Sequence, residues 1–435
     1  MKWFWVLLLL IVAAGGALLA FDYLGPGELI MNTASTGEAN SQRTTAERIR
    51  RADERSQHIK GLYMTSAVAN DAGKPATKLR NDLLQLLDST ELNAVVIDVK
   101  EVRDGAIITD QLKNLIISLH EKGIWVIARQ VVFKDTSQEK THPSWYLKRA
   151  DSALWRDNRG GSWLDPASGE VWRYQAEVAK QASDAGFDEI QFDYVRFPSD
   201  GDVKNIVYPI YDSKRPKHEV LREFFGYLHD GLKRYRADLI LSADLFGYVA
   251  LQQEDLGVGQ RLQDIGENFD YVSLMVYPSH YYAGFQVARD DERNLPALYY
   301  PYRGKDIAQV APSRPYEVVH RSLLIARDIL DGKIATSSLK MVRAAIGPGE
   351  NASTATPATA TTASVSSNSA VASKRSARLR PWLQDFNLGV DTNRGIYYDV
   401  QKVRAQIDAA EASGASGWLL WNAGNVYTKE ALRKE

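Results

Sequence analysis

Asp193 and Asp244 each fall near the end of an apolar run, Glu189–Val195 and Leu239–Leu245. Two carboxylates held on either side of a small cleft can break a glycosidic bond. One protonates the leaving oxygen, and the other attacks the sugar or activates water. A separation of about 5–5.5 Å goes with retention and ~6.5–9.5 Å with inversion, so the residue types alone leave the stereochemistry open. If Glu189–Val195 is a strand, its period of two places Gln191 and Asp193 on one face and Ile190 and Phe192 on the other. The apolar pair should face helices, which turns Asp193 inward. A neighbouring strand lies about 4.8 Å away, close enough to bring Asp244 alongside. Arg129, in the run Trp125–Val132, could hold one carboxylate ionised, since an opposite charge within ~4–6 Å lowers a carboxyl pKa. A structural salt bridge is its other reading.

Further polar and aromatic groups end other apolar runs. Asp98 and Lys100 follow Val95-Val96-Ile97, and Met275-Val276 leads into Tyr277-Pro278-Ser279-His280. Gln384 and Asp385 follow Trp382-Leu383, and Trp421 precedes Asn422. Asp98, Arg129, Tyr277, His280, Gln384, Asp385 and Trp421 are therefore the candidate substrate contacts around the Asp193–Asp244 pair. A lone strand-end carboxylate often caps the next loop; four Asp in register at one face are harder to explain so. Trp145, Trp155, Trp163, Trp382 and Trp421 are suited to stacking on sugar faces, or else to core packing. No metal site is expected, because His280 has no second ligand at helical spacing and the chain contains no cysteine. No cofactor is implied, and no Gly-x-Ser-x-Gly elbow marks a serine hydrolase.

The elements that must position these groups alternate. Apolar runs of strand length are expected at Gly61–Ser66, Ala94–Val99, Trp125–Val132, Glu189–Val195, Leu239–Leu245, Tyr271–Tyr277, Leu379–Phe386 and Gly417–Asn422. Amphipathic stretches of helical period separate them, several closed by Gly, as in Glu121-Lys122-Gly123. This is the pattern of parallel strands with crossover helices. Eight strands favour closure into a single (β/α)₈ TIM barrel, whose site lies at the C-terminal ends of its strands. A doubly wound open sheet is the alternative, and no Gly-rich phosphate loop follows the first strand to support it.

Around this barrel, expected over residues 60–435, lie three segments of other character. Residues 1–24 contain an uncharged run of 19 residues, Trp3–Phe21, long enough for a transmembrane anchor and also readable as a cleaved signal. Residues 25–59 are polar and read as a stalk. Residues 348–373, almost all Ala, Ser, Thr, Gly, Asn and Val, read as a disordered insertion before strand seven. Lys plus Arg total 53 against 54 for Asp plus Glu, which argues against a nucleic-acid partner. The expected location is the cell membrane, single-pass, with the barrel extracytoplasmic; the alternatives are secreted or periplasmic.

The segments Lys60-Gly61-Leu62-Tyr63, Val96-Ile97-Asp98-Val99-Lys100, Gln191-Phe192-Asp193-Tyr194-Val195-Arg196-Phe197-Pro198 and Arg380-Pro381-Trp382-Leu383-Gln384-Asp385-Phe386 resemble a family of glycoside hydrolase domains in bacterial exported proteins. The resemblance runs from about Lys60 to the C-terminus, apart from the insertion. It implies a barrel of the large glycosidase superfamily that includes alpha-amylase-like enzymes. There the nucleophile ends strand four, the acid/base ends strand five and a supporting Asp ends strand seven. Asp193, Asp244 and Asp385 fall on those places, with Asp rather than Glu at the second. The expected function is cleavage of an extracytoplasmic or cell-surface polysaccharide. The alternative is a non-catalytic barrel that binds glycan or scaffolds an envelope complex.

Overall fold

A computed structural model describes residues 42–251, 255–334 and 376–434. The chain divides into two units, residues 1–54 and 55–435. In the first, the described residues are helical, with an i,i+4 pair of 2.7 Å between Arg50 Nη1 and Glu54 Oε1.

The second unit is a closed parallel barrel. Its strands are β1 (Ile59–Met64), β2 (Ala94–Lys100), β3 (Trp125–Val131), β4 (Glu189–Asp193), β5 (Ile240–Phe246) and β6 (Tyr271–Met275). After a short antiparallel hairpin, β7 (Phe285–Val287) with β8 (Leu298–Tyr300), come β9 (Arg378–Leu379), β10 (Trp382–Gln384) and β11 (Gly417–Trp421). The order β10-β11-β1-β2-β3-β4-β5-β6-β9 closes because β10 also pairs with β6, Trp382 opposite Met275. β9 and β10 are thus two halves of the seventh strand, which the sequence presents as one run. Pro381, which has no N–H to donate, stands at the interruption.

Helices cross between the strands: α1 (Ser66–Asn70) and α2 (Lys74–Ser89), α3 (Asp110–Glu121), α4 (Gly169–Asp184), α5 (Lys217–Tyr235), α6 (Leu262–Gly266), α7 (Pro315–Leu330), then α8 (Gly389–Thr392) and α9 (Val400–Ala412). Each of the longer ones buries an apolar stripe, such as Val220, Leu221, Phe224, Phe225, Leu228 and Leu232 on α5. Ile190 and Phe192 of β4 join this outer core, as the period of two requires. The inward set is polar. Gln191 Nε2 donates to Ser273 Oγ at 3.0 Å across the barrel interior. At the base, fully buried Glu189 accepts from Arg380 Nη1 at 2.8 Å and from Trp125 Nε1 at 3.1 Å.

Five expected strand starts, Ala94, Trp125, Glu189, Tyr271 and Gly417, coincide with the observed ones, and the other three shift by a residue or two. β1 begins at Ile59, and buried Ser56 already belongs to the barrel through its 2.8 Å bond to the Tyr271 hydroxyl. Two long excursions leave the strand C-termini. The one between β3 and α4 folds back on itself through antiparallel bridges, Lys134 with Trp163 and Arg156 with Ser162. The other, after β6, carries the β7–β8 hairpin.

Among the described residues, no helix is long and apolar enough to cross a membrane. The run Trp3–Phe21 lies outside the described residues, as does the Ala/Ser/Thr-rich segment 348–373. In sequence that segment falls between the end of α7 and the start of β9, a helix-to-strand connection. Deleting it should leave the unfolding midpoint within about 2 °C of the parent, because halving a loop changes its closure cost by only about 0.6 kcal/mol. Differential scanning calorimetry of the deletion variant checks this; a much larger drop would mean the segment packs on the barrel.

Candidate active site

At the C-terminal end of the barrel one inward layer closes a ring of contacts around Arg129. Tyr63 of β1 donates its hydroxyl to Asp98 Oδ2 of β2, and Arg129 Nη1 of β3 donates to Asp98 Oδ1 at 2.6 Å. Arg129 Nη2 donates to Asp193 Oδ2 of β4, and Arg129 Nε lies 3.8 Å from Asp244 Oδ2 of β5. Trp382 Nε1 of β10 donates to Asp244 Oδ1 at 2.8 Å. Trp382 meets Trp421 of β11 edge-on at 5.4 Å, and Trp421 stacks on Tyr63 at 4.1 Å, which returns to β1. The guanidinium of Arg129 also sits 4.9 Å from the Trp421 ring centroid. Seven of the eight strand positions therefore supply one side chain each to this layer, and Met275 of β6 stands opposite Trp382.

One buried cation serves three carboxylates. With all ionised the layer would carry surplus negative charge in a dry place, so protons are retained. Burial pushes Asp244 well above the ordinary carboxylate range. The Asp193 charge adds to this, while Arg129 and the Trp382 N–H oppose it. Asp98 is raised as well, again by burial first, against Arg129 and the Tyr63 hydroxyl.

β4 ends abruptly at Asp193. Tyr194 adopts a left-handed backbone, φ 53°, uncommon for a residue with a side chain. The turn brings the Tyr194 N–H to Asp193 Oδ1 at 2.6 Å, so Asp193 accepts from a backbone amide and a guanidinium together. Strain kept at such a position is often part of a site. After β5, Gly247 is held where a Cβ would come within 2.7 Å of the Met275 carbonyl and 2.8 Å of the Tyr281 hydroxyl, so no larger residue fits.

Above the ring opens a cavity of about 450 Å³. Of the residues picked from sequence, Asp193, Asp244, Arg129, Tyr277, His280, Trp421, Trp163 and Trp382 line it. Asp98 sits behind Arg129. Gln384 faces the loop after β6, donating to Ser279 Oγ at 2.8 Å and accepting from the Ser279 N–H at 3.2 Å. Asp385 turns away, with its two oxygens accepting from the Thr428 hydroxyl at 2.7 Å and amide at 2.8 Å. Trp145 and Trp155 are core residues of the β3–α4 excursion. His280 is pushed down to about 4 by burial, then by the Arg159 charge, so its imidazole is neutral at ordinary pH. Among the described residues no group of three His, Asp or Glu could hold a metal.

Several lining residues carried no signal at strand ends: Lys134, Asp157 and Arg159 from the β3–α4 excursion, Tyr248 after β5, and Tyr282 on the loop after β6. Irregular loops have no periodicity to read. Tyr63 and Arg196 did sit inside recognisable motifs, and their types alone gave no reason to single them out.

No curated protein is similar to this chain in sequence at a significant level. Among solved structures, the glycoside hydrolase domain of PgaB (BpsB) from Bordetella bronchiseptica is similar over 85% of this chain and 94% of its own, at 13% identity and a TM-score of 0.52; this is a likeness of fold. A hypothetical protein from Ruminiclostridium thermocellum matches 45% of this chain and 98% of its own at 29% identity, TM-score 0.36. The alpha-galactosidase TtGalA from Thermus thermophilus matches 86% of this chain and 60% of its own at 10% identity, TM-score 0.44. A family model matches residues 61–340 and 347–427, most of the chain, and by that match the protein belongs to the family described as "Putative glycosyl hydrolase domain".

Proposed function

We propose that the protein is a glycoside hydrolase that cleaves a polysaccharide with Asp193 and Asp244 as its working pair. The observation that carries this is the unequal setting of two carboxylates held by one guanidinium. Asp193 accepts from Arg129 and from the Tyr194 amide at a sharp strand end, an arrangement that suits a nucleophile or a base for water. Asp244, raised by burial and by Asp193, keeps a proton to give to the leaving oxygen. A buried, proton-holding carboxyl beside a carboxylate bound by a guanidinium and a backbone amide divides the roles of acid and base. Half-buried Trp421 and exposed Tyr282 offer ring surfaces along the cavity.

The second reading, a barrel that binds glycan without cleaving it, rests on the depth of Asp244, only 1% exposed with Oδ1 taken by Trp382. Incubating the full chain with a broad polysaccharide panel and assaying new reducing ends separates the two. Cleavage by the wild type, absent in Asp193→Asn, supports the hydrolase, and NMR of the first-formed anomer then assigns retention or inversion. Binding without new ends across the panel would establish the binding barrel.

We place the barrel outside the cytoplasm, held by an uncleaved Trp3–Phe21 anchor on the cell membrane, on the strength of that uncharged run. The full chain should then stay in the membrane pellet at high salt and keep its N-terminus. N-terminal sequencing that starts beyond Ala20 would mean a cleaved signal and a secreted or periplasmic protein.

A further inference from the structure

Beside the carboxylate pair the cavity has a cationic wall. Lys134, Arg159 and Arg196 all line it, from the excursion after β3 and the loop after β4. Lys134 is occupied, with Nζ 2.6 Å from Asp157 Oδ2. The two arginines are not: among the described residues neither has a carboxylate within ion-pair distance. The acidic residues of the same cavity are otherwise engaged or solvated. Asp157 pairs with Lys134, Asp193 and Asp244 share Arg129, and Asp200 is exposed at the rim.

Arg196 is the more telling of the two, because it is only 9% exposed. An arginine that deep normally meets a carboxylate. Here the guanidinium is instead packed among three rings, 4.8 Å from Trp163, 5.2 Å from Tyr194 and 4.7 Å from Phe246. Its hydrogen bonds use Nη1 alone, to the Phe197 carbonyl and Ser199 Oγ, each at 3.1 Å. Nε and Nη2, one edge of a planar fork, have no protein partner among the described residues. That edge matches a carboxylate in plane and spacing, and the rings hold it at the right attitude without neutralising it. Arg159, exposed on the excursion, reaches the cavity beside His280 and supplies a second charge.

Building on the hydrolase reading, we propose that the polysaccharide is anionic and that Arg196, aided by Arg159, binds the carboxylate of a uronic acid unit next to the bond facing Asp193 and Asp244. A neutral glycan would leave a buried cation unpaired, so the same wall discriminates against it.

The test is affinity electrophoresis of the full chain through gels containing polygalacturonate, alginate or hyaluronan, each beside its carboxyl-reduced counterpart, which keeps the linkage and loses the charge. At least one polyuronate should retard the protein at a tenfold or more lower concentration than its reduced form. Arg196→Gln and Arg159→Gln should each cut that preference several-fold and leave the weak binding of the reduced polymer unchanged. Arg196→Lys should keep part of it. Circular dichroism of each variant ensures that folded proteins are compared. Equal retardation by charged and reduced forms, no retardation by any polyuronate, or variants that weaken both forms alike would overturn the assignment, as would a preference for a sulfated polymer. Reducing-end release is read in parallel. Selectivity without cleavage would sink the hydrolase and keep the anion site; cleavage of neutral polymers without selectivity would do the reverse.

Discussion

Asp193→Asn and Asp244→Asn should each lower the rate of glycan hydrolysis by at least ~10²–10⁴-fold while the barrel stays folded. Each exchange keeps the shape of the side chain and removes the charge or the proton that bond cleavage requires. The two should differ in how pH acts on them. Because Asp244 works as the protonated partner and its pKa is raised by burial, wild-type turnover should fall as pH rises through that value. The residual activity of Asp244→Asn should lack this alkaline fall. The stability consequence has the opposite sign to the usual salt-bridged aspartate. A folded-state pKa above the unfolded one means that the native protein holds an extra proton between the two values. Asp244 therefore costs stability progressively as pH rises above the ordinary carboxylate range. Asp244→Asn should be at least as stable as the parent at neutral pH, by urea unfolding. A variant that unfolds instead would make this aspartate a structural acceptor for Trp382.

Arg129→Met should be the most damaging single substitution in the layer, costing roughly 3–5 kcal/mol at neutral pH, since it strands Asp98, Asp193 and Asp244 without their shared cation. The volume is nearly kept, so packing contributes little. The penalty should shrink as pH falls toward the ordinary carboxylate range, where Asp98 and Asp244, both raised by burial, are neutral and need no partner. Urea midpoints of parent and variant at neutral and at mildly acidic pH measure it. A constant difference between them would locate the damage in packing against Trp421 and Tyr63 rather than in charge. Hydrolysis should be lost as well, because Asp193 would no longer be oriented.

The strands and the inward turn of Asp193 were legible because they rest on period alone. Ile190 and Phe192 must be buried against helices, and that decides where Gln191 and Asp193 point. Asp244 followed from adjacency of β4 and β5. Asp385 stands apart from the cavity lining for a physical reason: β10 has three residues, and beyond Gln384 the carboxylate meets Thr428. A strand-end aspartate looks the same in sequence whether it faces the mouth or fastens a loop. The interruption of the seventh strand was announced by Pro381, yet the flanking apolar residues read as one run. Arg129 as hub of three carboxylates depends on four strands meeting, and no local pattern encodes that. The cationic wall was least legible of all, since Lys134 and Arg159 come from an irregular excursion and Arg196 from one turn past a strand.

The course of the chain beyond the last strand has a practical side. Tyr427 binds the backbone of Tyr63 near the mouth, and a few residues later the Arg433 carbonyl accepts from the Glu91 N–H while the Arg433 N–H donates to the Glu91 carboxylate, just before β2 begins. Ser56 is likewise anchored beneath the strands by Arg380. Entry to and exit from the barrel thus share its closed pole. A support, label or fusion joined at either side of the domain would leave the open pole unobstructed, so immobilised protein can be offered polymers far larger than itself without losing access.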